Sequence, residues 1–545
     1  MTTVRPRIAP STTVAVVLGA GVPIVFFAVF FLWPVGAMVV RGFGDGIALD
    51  VLTRPRTVRL IGLTLGQAAL AAIITTVLGV PIAHVLYRLR FRGRRFLRAL
   101  IIVPFVLPTV VVGVAFRTLL REGGLLGFLH LDGTFAAIML ALVFFNIAVV
   151  VRTVGGAWEN LDPRQEEAAR VLGASPARVM LTVTLPRLAP AIIAASSVVF
   201  LFCSTAFGVV LVLGGTRFGT IETEIYLLTT QFLDLRAASV LSITQLVVVV
   251  LVLLVAGRLR PKRGTERGSS VARRPRRADA AAISITIVTG LLLALPVVAL
   301  LARSFQTADG WSLGNYIALG STGSRNALSG PVWEALGNSL VIAAAATAIA
   351  LVIGTSASLI LSRRPRSIGL RRGILALDGV LMLPLGVSAV TVGFGFLITL
   401  NQPPFDLRSS PILVPIAQAL VATPLVVRTL LPVLSAIDER LRESAAVLGA
   451  APLRVLRDVD LGIVARPVLA ASGFAFAVAL GEFGATSFLS RPDRPTLPVV
   501  IFRLIGLPGG DNFGMAIAAS VVLATVTVMV IGLVERLRVG TVGSW

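Results

Sequence analysis

The chain has 545 residues, of which 56% are hydrophobic and 14% are charged, and its mean hydropathy is +0.93. Soluble proteins carry about 25% charged residues, so this composition excludes a soluble globular protein and predicts a polytopic membrane protein. The net charge of +23 does not indicate nucleic-acid binding, because the arginines form short clusters between apolar stretches and no soluble domain remains.

Cysteine and histidine are too rare to build a disulfide framework or a metal centre. Cys203 is the only cysteine, and the two histidines, His84 and His130, each lie in or beside an apolar stretch. We therefore expect packed or interfacial histidines and predict no metal site.

The first part of the chain predicts six transmembrane helices. They are expected at about 13–40, 60–87, 99–120, 134–157, 188–214 and 238–257. The first stretch is too long for a signal-peptide core and has no small-residue cleavage site, so we expect it to remain in the membrane. A basic loop at 87–98 and a polar segment at 162–187 fall on the side of the amino terminus, and the positive-inside rule makes that side cytoplasmic.

The pattern begins again after a basic linker at 258–280, which we expect to be flexible and cytoplasmic. Six more spans are expected at about 281–302, 334–361, 374–400, 410–433, 464–489 and 515–534. The predicted fold is therefore an all-α polytopic membrane protein, with about twelve transmembrane helices in two pseudo-symmetric halves, 1–257 and 281–545. Both termini are predicted to be cytoplasmic.

Two polar segments, at 162–187 and 438–463, carry the clearest repeat. We call them the first and second polar segments. Each predicts two short helices, because a capping residue and a proline open a helix and a glycine ends one. Since exposed loops normally vary freely, repetition at equivalent sites indicates a function. The two segments align without gaps and place Glu167, Gly173 and Pro176 on Glu443, Gly449 and Pro452.

The repeated pattern Glu-Ala/Ser-Ala-x-x-Leu-Gly resembles the EAA loops of binding-protein-dependent ABC importer permeases. Each copy precedes the penultimate span of its half, and the resemblance covers nearly the whole chain. It implies a type I importer transmembrane fold, in which each loop docks as a coupling helix on a separate ATPase subunit. The residues expected to carry this coupling are Glu166, Glu167, Ala168, Ala169, Gly173, Glu443, Ser444, Ala445 and Gly449.

The resemblance also implies the partners and the location. We expect two copies of a cytoplasmic ABC ATPase subunit, an extracytoplasmic substrate-binding protein and membrane lipid as partners, in the inner or plasma membrane, and no nucleic acid. Lys262, the only lysine, lies in the linker, so the chain cannot contain a phosphate-binding G-x-x-x-x-G-K-S/T loop. We therefore expect no enzyme activity and no cofactor in this chain, with ATP and Mg on the ATPase subunits.

Few polar residues lie inside the predicted spans, and four are candidates for the translocation pathway. Glu482, which stands where the first half has Ala206, either faces the pathway and attracts a cationic substrate or is hydrogen-bonded to neighbouring backbone. Asn146 and Gln418 favour hydrogen bonds between helices over substrate contact. Thr205, beside Ala206, is the fourth candidate.

The cargo is indicated by the resemblance alone. The fused halves and the sequence Gly-Glu-Phe-Gly-Ala at 481–485 are most similar to thiamine permeases, so thiamine is the expected cargo. Ferric-iron permeases are the alternative within the family, and sulfate and molybdate permeases share the motif but are usually unfused. The competing class is a secondary transporter or channel.

Overall fold

The structure is a computed structural model that describes residues 21–44, 48–214, 217–258, 272–363, 368–400, 406–407 and 410–539. Both chain termini, the start of the first predicted span and most of the basic linker lie outside the described residues. The part of the chain that is described is almost entirely helical. A short hairpin pairs Gln306–Thr307 antiparallel with Gly310–Trp311.

Ten described helices are long and apolar enough to cross a membrane, and two bent helix pairs bring the candidate spans to twelve. We number these spans 1 to 12 in chain order. They are Gly21–Phe43, Pro55–Arg88, Phe96–Val106 with Thr109–Leu120, Phe135–Glu159, Pro176–Ser204, Leu235–Val255, Arg277–Ser304, Val332–Leu361, Arg371–Pro384 with Ala389–Thr399, Leu413–Ala436, Leu453–Leu480 and Gly510–Val534. The predicted all-α polytopic fold is confirmed.

Spans 3 and 9 are broken where the sequence predicts one continuous helix each. The two helices of span 3 meet at 103°, and those of span 9 meet at 97°. In span 3 the break falls at Pro108, which precedes the second helix and disfavours a helical conformation at the residue before it. In span 9 the second helix is capped by Ser388, whose Oγ accepts a hydrogen bond from Val390 N at 3.0 Å.

Spans 5 and 11 end earlier than the sequence predicts, because hydropathy continues through short helices that follow each span. Span 5 ends at Ser204 rather than near 214, and span 11 ends at Leu480 rather than near 489. The shorter α-helices outside the spans and the polar segments are Ala48–Thr53, Gly208–Gly214, Ile221–Thr230, Gly314–Ala318, Thr486–Leu489 and Leu497–Gly506.

The chain forms two compact units whose composition differs from the two predicted halves. Unit 1 draws its described residues from Met1–Gly44, Glu334–Thr496 and Thr525–Trp545, and unit 2 from Asp45–Trp333 and Leu497–Ala524. Unit 1 therefore contains span 1, and unit 2 contains span 7. The halves at 1–257 and 281–545 describe the sequence repeat, which stays a prediction.

The first span of each sequence half packs on the second helix of the broken third span of the other half. In unit 1, span 1 lies on the second helix of span 9, where the rings of Phe30 and Phe396 are 6.0 Å apart. A Cβ added at Gly395 would lie 3.0 Å from side-chain atoms of both Pro34 and Met38, so this crossing is close. In unit 2, span 7 packs on span 2 and on the second helix of span 3.

Each unit contains a close glycine–valine contact between two spans that correspond in the sequence repeat: spans 2 and 4 in unit 2, and spans 8 and 10 in unit 1. In unit 2, a Cβ added at Gly79 of span 2 would lie 2.7 Å from Val150 Cγ1 of span 4. In unit 1, a Cβ added at Gly354 of span 8 would lie 2.6 Å from Val426 Cγ1 of span 10. Small residues let membrane helices approach closely, and close packing is a main source of their association in lipid.

We predict that Gly79→Ala and Gly354→Ala each lower the midpoint of thermal unfolding in detergent by a few degrees. The added methyl group meets a β-branched side chain that is stiff at χ1, so the helices must move apart. Gly62→Ala and Gly337→Ala are matched controls in the same two spans, because a Cβ there has no neighbour within 4 Å. Equal shifts for the two pairs of variants would contradict this packing.

Candidate functional site

The first polar segment folds into two short helices followed by a π-helical turn. Before the first helix, Asp162 Oδ1 accepts a hydrogen bond from Arg164 N at 3.0 Å. Gly173 ends that helix at a φ of +83°, a left-handed conformation that favours glycine. Ser175 Oγ then caps the second helix by accepting from Arg178 N at 3.4 Å. The elements are Arg164–Val171, Pro176–Val179 and the π-helix Met180–Thr184.

The second polar segment has the same local structure. Asp438 Oδ1 accepts a hydrogen bond from Arg440 N at 3.1 Å, and Gly449 ends the first helix at a φ of +84°. The prediction of two short helices in each segment is confirmed. A π-helix was not predicted, and it occurs at the same place in both segments. The elements are Glu439–Val447, Pro452–Val455 and the π-helix Leu456–Leu461.

Both segments expose a pair of large aliphatic side chains where the first helix ends. Val171 and Leu172 are 88% and 87% exposed, and the equivalent Val447 and Leu448 are 86% and 87% exposed. Exposed apolar groups clustered on a charged surface mark sites of interaction with another molecule. Sequence reasoning did not select these residues, although both copies read Val-Leu-Gly and the repeat itself was the available signal.

Most of the predicted coupling residues face away from the protein. Glu166 is the exception, because its side chain is turned inward and the residue is only 7% exposed. The exposed residues can meet a partner directly, whereas Glu166 contacts its own chain. Exposed are Glu167, Ala168, Gly173, Glu443, Ser444 and Gly449, and half-buried are Ala169 and Ala445.

Buried polar contacts fix the first polar segment to span 2. Glu166 Oε2 accepts a hydrogen bond from Arg88 Nη2 at 2.7 Å, and Arg88 is the last residue of that span. Glu166 Oε1 accepts from Thr184 Oγ1, in the π-helix, at 3.0 Å. One carboxylate therefore joins the end of span 2, the first short helix and the π-helix.

An ionic contact of similar layout fixes the second polar segment to the end of span 8. Asp460, in the π-helix, is fully buried. Its Oδ2 accepts from Arg363 Nη2 at 2.8 Å, just beyond span 8, and its Oδ1 accepts from Arg442 Nε at 2.8 Å. Here the acid lies on the π-helix, and the short helix supplies an arginine.

Glu482 lies in the break that follows span 11 and caps the next turn of the chain. Its Oε1 accepts from Ala485 N at 2.7 Å, and its Oε2 accepts from Thr486 N at 3.1 Å. Thr486 Oγ1 donates in return to the Glu482 carbonyl at 2.8 Å. The side chain is buried, so its geometry matches the backbone-bonded alternative of the two that the sequence left open.

The equivalent break after span 5 is held by side-chain amides from other spans. Gln67 Nε2 donates to the Cys203 carbonyl at 3.3 Å, and Gln245 Nε2 donates to the Ser204 carbonyl at 2.9 Å. Asn146 Nδ2 lies 3.3 Å from Cys203 Sγ, a contact between spans 4 and 5 of the kind that the sequence favoured. Sequence reasoning missed Gln67 and Gln245.

The four candidate pathway residues do not form one cluster within either unit. Thr205 lies at the break after span 5, two residues after the Cys203 that Asn146 contacts, and its Oγ1 donates to the Leu201 carbonyl at 3.0 Å. Gln418 is buried in span 10, and its Oε1 accepts no hydrogen bond from the described residues. Thr205 and Asn146 belong to unit 2, whereas Gln418 and Glu482 belong to unit 1.

Comparison with known proteins agrees with this arrangement. Residues 75–263 match the family described as "Binding-protein-dependent transport system inner membrane component". The chain is 30% identical over 458 residues to the thiamine transport system permease protein ThiP of Escherichia coli (strain K12), across 81% of this chain and 82% of that protein. It is 27% identical over 467 residues to ThiP of Brucella abortus (strain 2308), across 82% of each chain.

A second kind of relative is similar over a shorter length. The sulfate transport system permease protein CysT of Salmonella typhimurium (strain LT2) is 36% identical over 217 residues, across 38% of this chain and 77% of that protein. The ThiP matches cover too much of the chain to fall within one half, and the family match contains the whole first polar segment. The chain belongs to the binding-protein-dependent inner-membrane transport components: it is a multi-pass permease of an ABC importer.

Proposed function

We propose that this permease forms the translocation pathway for thiamine. The observation that supports this cargo is the extent of similarity: thiamine permeases match 81% to 82% of the chain, whereas the sulfate permease matches 38%. A cargo pathway in a fused permease is built from both halves. A match that extends over both halves therefore bears on the cargo more than a match to one half does.

The two polar segments are proposed to dock on two copies of a separate ABC ATPase subunit, one segment on each copy. Their exposed pairs, Val171 with Leu172 and Val447 with Leu448, supply an apolar contact at equivalent places. The exposed acids Glu167 and Glu443 lie beside this contact and can pair with basic groups. In this proposal ATP and Mg are held by the ATPase subunits, and an extracytoplasmic binding protein delivers the cargo.

The orientation follows from charge. Basic loops at 87–98 and 363–372 lie on the same side of the membrane as the polar segments when the spans alternate. Lysine- and arginine-rich loops remain in the cytoplasm, so the polar segments and both termini are proposed to be cytoplasmic. This side is also where ATP is available.

In this proposal, motion of the ATPase subunits reaches the translocation pathway through a short connection. The π-helix Met180–Thr184 continues into the helix Leu185–Ser204 of span 5, and Leu456–Leu461 continues into Gly462–Leu480 of span 11. When ATP closes the ATPase pair, the polar segments are drawn with it, and each passes the displacement directly to its span. The pathway then changes from inward-facing to outward-facing and accepts cargo from the binding protein.

The importer is tested in proteoliposomes that contain this chain, its ATPase subunit and the cognate binding protein. We expect labelled thiamine to accumulate only when ATP is supplied to the ATPase side, and unlabelled sulfate or ferric ion not to compete. Uptake driven by an ion gradient without ATP would contradict the importer mechanism. ATP-driven uptake of sulfate or ferric ion in place of thiamine would contradict the proposed cargo alone.

We predict that the double variant Leu172→Ser and Leu448→Ser loses at least about tenfold in ATPase co-purification, because each leucine contributes about 1.5–3 kcal/mol when it is fully buried. The matched control is Leu125→Ser, which changes an exposed leucine outside both polar segments. The control is expected to bind the ATPase normally. Equal ATPase recovery for the double variant and the wild type would contradict docking at these helices.

Glu482 is proposed to stabilise the break after span 11 rather than to bind cargo. Glu482→Gln replaces one acceptor oxygen with an amino group that faces a backbone N–H, so one hydrogen bond is lost in a buried place. We expect the thermal midpoint to fall by a few degrees while the KM for thiamine uptake is unchanged. A raised KM with an unchanged midpoint would instead place the carboxylate on the pathway.

A further inference from the structure

Each polar segment is joined to its own unit by three largely buried side chains. One more exposed partner lies beside each set: Arg170 Nη2 is 3.5 Å from Glu166 Oε2, and Glu439 Oε2 accepts a hydrogen bond from Arg442 Nη1 at 2.6 Å. We call Arg88, Glu166 and Thr184 the first anchor, and Arg363, Arg442 and Asp460 the second anchor. Each anchor connects the same three elements: the end of a span, the first short helix of the polar segment, and the π-helix in the first part of the penultimate span of the half.

The members of the two anchors occupy equivalent positions in the repeat. The ungapped alignment of the polar segments places Glu166 on Arg442. It also places Thr184 on Asp460. The arginines at the span ends correspond as well, because Arg88 follows Gly79 and Arg363 follows Gly354 at the same interval, and the two glycines make the same helix contact.

The acid therefore lies on a different element in each copy. In the first anchor the acid is on the short helix and the π-helix supplies a hydroxyl group. In the second anchor the acid, Asp460, is on the π-helix, and the short helix supplies Arg442. The arginine from the span end is present in both anchors, and in both it donates to the acid, at 2.7 Å in the first and 2.8 Å in the second.

Burial makes these contacts costly to break. Glu166, Thr184, Arg88, Asp460 and Arg442 are all buried, and the side chain of Arg363 is largely shielded. Removing one partner of a buried ion pair leaves an uncompensated charge, which is far more costly than breaking an exposed pair. Each polar segment and the adjacent span end are thus held as one body.

We propose that the two anchors are interchangeable positioning devices, which make each polar segment move together with the end of span 2 or span 8. This inference rests on the proposed docking of the polar segments on ATPase subunits. A push on either segment then reaches two spans at once: one through the π-helix and one through the anchor. What the anchor requires is one acid opposite the span-end arginine, on either the short helix or the π-helix.

The test converts one anchor into the other. Glu166→Arg alone brings two cations together, and Thr184→Asp alone adds a second acid. We expect each single variant to lose at least about tenfold in thiamine transported per ATP hydrolysed, since each leaves a buried charge uncompensated. The double variant reproduces the buried acid between two arginines of the second anchor, with Arg88 retained, although Pro163 stands where the second segment has Glu439, the exposed partner of Arg442. It is expected to recover at least half of the wild-type ratio.

The reciprocal cycle uses the second anchor. Arg442→Glu alone is expected to impair coupling, and adding Asp460→Thr is expected to restore it. The matched control is Asp50→Arg, which breaks an exposed pair with Arg54 in unit 2 and should leave the coupling ratio unchanged. Because only a specific partner change rescues the single variants, general destabilisation does not produce this pattern.

Three readouts separate the possible failures. Thermal midpoint and size-exclusion profile identify variants that do not fold. Glu166→Gln keeps an acceptor for Arg88, so this variant is expected to fold and to lose only part of the thiamine transported per ATP hydrolysed. Double variants that fold and bind ATPase but couple no better than the single variants would overturn the anchor inference. Single variants that transport as much thiamine per ATP hydrolysed as the wild type would also overturn the anchor inference. A wild-type chain that recruits no ATPase would instead refute the proposed docking.

Discussion

The structure depends on one constraint, which is that no backbone polar group in a lipid-exposed or buried position can be left without a partner. An intact helix meets it automatically, so each interruption needs side chains. The two equivalent breaks after spans 5 and 11 meet it in opposite ways. After span 5, Gln67 and Gln245 donate to the carbonyls of Cys203 and Ser204, whereas after span 11 Glu482 accepts from the N–H groups of Ala485 and Thr486. The roles of Gln67, Gln245 and Glu482 are therefore explained by these breaks.

The two polar segments likewise reach the same backbone geometry with different side chains. Backbone geometry is repeated closely, with a capping aspartate, a glycine at positive φ and a π-helix in each copy. The side chains that hold the geometry are not repeated, since the acid lies on the short helix in one copy and on the π-helix in the other. The exposed aliphatic pairs are repeated. The two copies thus share their exposed aliphatic pairs and differ in the buried side chains that hold each segment in place.

Much of this could be predicted from the sequence, because the signals were local. Hydropathy located the spans, and proline and glycine located the short helices. The ends of spans 5 and 11 were missed because the helices after Ser204 and Leu480 are also apolar. Glu166 and Glu167 are adjacent acids that look alike in sequence, and only packing reveals which one is buried. The exposed Val-Leu pairs were overlooked because apolar residues near a membrane are expected to face lipid or core.

The composition of the units bears on how the protein is made. Span 1 is synthesised long before span 9, yet it packs in unit 1 on the second helix of span 9, which carries Phe396. Unit 2, in turn, includes Leu497–Ala524 from near the end of the chain. Unit 2 is not complete until Leu497–Ala524 has been synthesised, and part of the contact surface of span 1 is covered only by lipid until span 9 has been synthesised. A chain divided at the linker would yield two fragments, and each would need the other to complete its fold.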